Sequence, residues 1–134
     1  MRASQLAETL DFIRRHNDPA TPVIFGGDLN IDALALDDGD YRLLLAGLGD
    51  LDLHDAVLEK GLDEATDRAR EERIDYIFYS RAGLELLAVD TDYFQGAYAW
   101  GKPNAFSPDP PPGHAGEPSD HAALITRFLW FAAP

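Results

Sequence analysis

Pro22-Val23-Ile24-Phe25-Gly26-Gly27-Asp28-Leu29-Asn30 begins as a short apolar run and ends in two polar side chains two residues apart. Such a run reads as a buried strand. In extended geometry Asp28 and Asn30 leave the strand end on the same face, where both can reach one site. Gly26 and Gly27 carry no side chain, and a substrate or a neighbouring backbone can approach them closely. Taken alone, Gly-Asp-x-Asn is a strand ending in an Asx turn. Two later segments reverse that preference.

The first is Arg73-Ile74-Asp75-Tyr76-Ile77-Phe78, in which a carboxylate sits inside an otherwise apolar strand. On an inward face Asp75 needs a partner, because an unpaired buried carboxylate is costly; period-two alternation equally allows it to face solvent. Arg73 reads as a solvated strand-end charge. The second is Ser119-Asp120-His121, which launches the apolar run Ala122-Ala123-Leu124-Ile125-Thr126-Arg127-Phe128 out of a loop. His121 is the natural partner for Asp75, and a bend from loop to strand lets Asp120 and His121 face one site. The other histidines have plain readings: His16 at a helix end, His54 beside a capping Asp55, and His114 in a Pro-rich loop.

The rest of the chain supplies a mixed α/β frame. Ser4 can cap a helix whose Leu6, Leu10 and Ile13 share one face, and His16-Asn17-Asp18-Pro19 ends it. Tyr41 to Leu48 reads as a second helix, and a short helix is expected from about His54. Arg73 to Tyr79 and Leu84 to Val89 read as two strands around the turn Ser80-Arg81-Ala82-Gly83, a hairpin pattern. Residues 93–117 form a long Pro-, Gly- and aromatic-rich stretch holding most of the nine prolines, which reads as an irregular loop.

Composition narrows the chemistry. The 134 residues and 46% hydrophobic content fit a single ordinary core. No apolar run approaches the roughly 20 residues of a bilayer helix, and no signal-peptide pattern opens the chain, so a cytoplasmic location without a transmembrane segment is the expectation. With no Cys, a metal would be held by Asp, Asn, Glu or His, a set that favours hard cations, Mg or Mn ahead of Zn. The net charge of -13 and the scattered eleven Lys and Arg disfavour tight binding to a nucleic-acid backbone.

In their order, the three segments resemble the signature of the magnesium-dependent endonuclease/exonuclease/phosphatase superfamily, which contains DNase I-type nucleases, phosphoinositide phosphatases and neutral sphingomyelinases. The resemblance implies an α/β (α+β) fold, half of a four-layer α/β sandwich of the DNase I-like type. Residues 1–134 would be a single partial domain, the C-terminal half. The family's first strands supply an Asn, a metal-binding Glu and an upstream His that no segment here matches. It also implies roles: Asp28 orients or deprotonates the attacking water, Asn30 stabilises the transition state, and His121, oriented by Asp75, contacts the phosphoryl oxygen or transfers a proton. Asp28, Asn30 and Asp120 would serve a Mg (or Mn) ion. Gly27-Asp28-Leu29-Asn30, Leu53 to Glu59, Arg73 to Tyr79 and Ser119 to Leu124 are similar to the neutral sphingomyelinase branch. The expected partner is a phosphodiester, a phospholipid head group ahead of nucleic acid. Such a half is expected to expose the inner face of one sheet, and so to self-associate or join a missing N-terminal half. The alternatives are a non-catalytic remnant that keeps the fold motifs and a member of a nuclease branch.

Overall fold

The computed structural model describes residues 3–16, 21–35, 39–62, 65–67, 71–92 and 121–131. The expected loop at 93–117 and the expected metal ligand Asp120 lie outside them. Helix α1 (Ala3–His16) buries Leu10 and Ile13 in the main core, with Leu6 packed beside them. It already includes Ala3, a strong helix former, so Ser4 falls inside the first turn instead of capping it. Helix α2 (Gly39–Gly49) adds Leu44 and Leu48, both fully buried in the same cluster.

Three strands form the sheet beside this core. Strand β3 (Asp75–Ser80) is central, with β1 (Ile24–Asp28) antiparallel on one side and β2 (Leu53–Asp55) antiparallel on the other. Strand β1 departs from its buried-strand reading. Among the described residues it is an edge strand, and Ile24 is 57% exposed because only the Phe25 face packs on the core. The short helix is also displaced. His54 lies in β2, and α3 (Ala56–Glu59) starts after Asp55, whose extended backbone and side chain cap it by accepting from the N–H groups of Val57 and Leu58.

The hairpin expectation is corrected by pairing. Both edges of β3 are occupied by β1 and β2, so β4 (Leu84–Asp92) turns away at Gly83, which has φ +79°, and pairs antiparallel with β5 (Ala123–Trp130). The described residues thus carry two sheets where one was expected. They meet through Ala56, Tyr79, Leu84 and Leu86, with the Tyr79 and Phe128 rings 5.0 Å apart. Exposed apolar side chains line β5 and its end, among them Ile125, Leu129 and Trp130. No helix among the described residues is long and apolar enough to cross a membrane.

Gly26 is a point of close approach between β1 and β3. A Cβ there would lie 2.6 Å from the main-chain oxygen of Tyr76, so the two strands touch backbone to backbone. Gly26→Ala is expected to destabilise the fold by about 1–3 kcal/mol, because backbone cannot yield as a flexible side chain can. Urea unfolding of the two proteins checks this, and an unchanged midpoint would contradict the close approach.

Candidate active site

The open end of the β1–β3 ladder gathers the polar residues. Antiparallel register sets Asp28 directly opposite Asp75, which places both side chains on one face of the sheet. Beyond β1 the chain turns sharply. The Asp28 Oδ1 accepts the N–H of Asn30 at 2.9 Å, and Asn30 takes the left-handed backbone (φ 50°) that Asn tolerates well. The Asx turn and the juxtaposition with Asp75 therefore coexist. Asp28 and Asn30 are both exposed.

Asp75 receives a partner from 46 residues away. His121 Nδ1 lies 2.8 Å from Asp75 Oδ2, both side chains being partly buried. In this bond the carboxylate oxygen accepts and Nδ1 donates, which sets Nε2 on the other side of the ring. His121 arrives there through an isolated antiparallel bridge to Asp67 and through the Ala122 N–H, which donates to the Thr66 carbonyl at 2.8 Å.

The turn after β1 is locked to the entry of β3. Leu29 N–H donates to the Ile74 carbonyl, Ala33 N–H to the Arg73 carbonyl, and Arg73 N–H to Asp32 Oδ1, at 2.9, 3.0 and 3.0 Å. The Tyr76 hydroxyl bridges the Ile31 and Arg73 carbonyls. These bonds hold Asp28 and Asn30 at a set distance from Asp75.

Arg73 corrects its sequence reading. It is 3% exposed, and its Nη2 donates to Asp55 Oδ2 and to the Tyr41 hydroxyl, both at 2.9 Å. The Tyr41 hydroxyl in turn donates to Asp55 Oδ2 at 3.0 Å. The guanidinium carbon lies 4.9 Å from the centre of the Tyr76 ring, and the buried Nη1 has no hydrogen-bond partner among the described residues. Burial alone would lower the Arg73 pKa, but the Asp55 carboxylate more than offsets it and the guanidinium stays firmly charged. Burial first, and Asp55 second, push Tyr41 up to about 12, so it remains a neutral donor. Nothing local in the sequence links Arg73 to Asp55, which lies 18 residues upstream. Thr66 and Asp32 carried no sequence signal either.

As a metal site the described residues fit in kind but not in number. Asp28 and Asn30 offer hard oxygen donors, yet no group of three or more His, Asp or Glu among the described residues could hold an ion. A metal ion held here would need a third donor from outside the described residues.

The sequence model of the Endonuclease/Exonuclease/phosphatase family matches residues 1–121, a span containing Asp28, Asn30, Asp75, Asp120 and His121. The chain belongs to the endonuclease/exonuclease/phosphatase family. Members of this family are typically hydrolases, and the mixed helix and strand content accords with it. Comparison with curated proteins and with solved structures gave no match.

Proposed function

We propose that the chain carries the water-activating and proton-transferring part of a phosphodiester hydrolase site. The observation that carries this reading is the hydrogen bond between His121 and Asp75 beside the opposed Asp28. Asp75 fixes the tautomer and direction of the ring, which leaves Nε2 to meet a phosphoryl or leaving-group oxygen and move a proton there. Asp28 orients or deprotonates the attacking water. The Asn30 side-chain amide stabilises charge that grows on the phosphoryl oxygens.

Magnesium, or manganese, is the proposed cofactor. It would supply Lewis-acid polarisation of the phosphoryl group when bound. Asp28 and Asn30 would contribute, with Asp120 and the family's upstream Glu completing the set. On this reading residues 1–134 are the C-terminal part of a larger domain. The likeness of four segments to the sphingomyelinase branch supports a phospholipid head group as substrate; the net charge of -13 counts against tight binding to nucleic acid.

The test is hydrolysis of sphingomyelin, plasmid DNA and bis(4-nitrophenyl) phosphate with Mg, by this chain alone and by a product extended upstream through the Glu-bearing segment. The chain alone is expected to bind Mg weakly in calorimetry and to turn over little, with the extended product active on sphingomyelin. Robust turnover by the chain alone would overturn the proposed metal site, and inertness of both forms would overturn the enzymatic reading.

A further inference from the structure

We propose that Thr66 is a positioning residue for the Asp75–His121 pair, an inference that rests on the function proposed above. Asp75 and His121 lie 46 residues apart, so something has to hold two distant backbones in register before their side chains can meet at 2.8 Å. Thr66 touches both. Its Oγ1 accepts the N–H of Asp75 itself and of Ile74, each at 3.1 Å. Its carbonyl accepts the N–H of Ala122, the residue after His121, at 2.8 Å.

Thr66 is in turn held from behind. Its own N–H donates to the Glu72 carbonyl at 2.8 Å, and the neighbouring Asp67 accepts the Glu71 and Glu72 N–H groups at 2.8 and 2.7 Å. Asp67 also forms the bridge to His121. The side chain of Thr66 is wholly buried, so water does not replace its hydroxyl if that is removed. Valine fills the same space but leaves the two N–H groups at the start of β3 without this acceptor. Freed there, Asp75 loses the fixed position that selects one tautomer of His121.

Nitrogen-15 NMR of the histidine rings tests this directly in the chain as it stands. Spectra are taken at about pH 8.5, where an ordinary imidazole of pKa about 6.5 is neutral. His121→Gln assigns the signal. Wild type and Thr66→Ser are expected to show His121 protonated at Nδ1. In Thr66→Val the ratio of Nδ1- to Nε2-protonated ring should fall by about fivefold, the scale of one lost hydrogen bond. A folded Thr66→Val with an unchanged ratio would overturn the proposal. So would loss of the Nδ1 form in Thr66→Ser, which keeps the hydroxyl; if Thr66→Val does not fold, Thr66→Ala, which also lacks the hydroxyl, is read in its place and an unchanged ratio there overturns the proposal. The readout needs no turnover. If the tautomer responds as expected while the upstream-extended product hydrolyses no phosphodiester, the positioning stands and the proposed function falls.

Discussion

Asp55→Ala should cost about 3–5 kcal/mol of folding stability, the range found when one member of a buried ion pair is removed. The Asp55 side chain is 0% exposed and the Arg73 side chain 4%, so the substitution leaves a guanidinium charge enclosed beside two tyrosine rings. It also strips the cap from α3, whose Val57 and Leu58 N–H groups bond to Asp55 Oδ1. Asp55→Asn separates these effects, since its side-chain carbonyl can still cap the helix while the charge is gone. Most of the loss is expected to persist in Asp55→Asn. Urea unfolding followed by circular dichroism reads both variants. A near-wild-type midpoint for Asp55→Ala would mean that the pair does not organise the fold.

His121→Ala, made in the upstream-extended product, should lower kcat by about 10²- to 10⁴-fold, the usual range for a positioned proton-transfer group. Stability should fall as well, by about 1–3 kcal/mol, because the Asp75 side chain, only 18% exposed, loses its hydrogen-bond partner. Asp75→Asn should lower activity as well, since an amide can also donate and no longer enforces one tautomer of the ring. Measurement of kcat and KM with Mg in excess checks both. Wild-type kcat in His121→Ala would remove the imidazole from the mechanism.

The legible part of this fold was its polar punctuation. A carboxylate inside the apolar strand at Asp75 and an imidazole at the head of β5 pointed to one another through the cost of burying an unpaired charge, and the bond between them is present. Local helix signals also carried well, as with the Leu6, Leu10 and Ile13 face of α1. What failed was pairing. A turn beside Gly83 followed by a strand looks like a hairpin, yet whether β4 joins β3 depends on which edges other strands have already taken, and those strands lie far away in sequence. Arg73 was misread for a related reason: its counter-charge lies 18 residues upstream, and periodicity is blind to such a contact. Thr66 is the extreme case. A single hydroxyl between Ala65 and Asp67 has no pattern of its own, and its importance is visible only once two remote backbones are seen to end on it.

The last rung of the β1–β3 ladder has an implication for engineering. Asp28 and Asp75 face one another there, and like charges directly opposite weaken a sheet by up to about 1 kcal/mol. The scaffold thus carries a cost at the place where the proposed chemistry sits, a local conflict between stability and activity. A library sorted only for heat resistance would discharge this rung early, and the best-folded clones would be those that had lost the carboxylates proposed for catalysis.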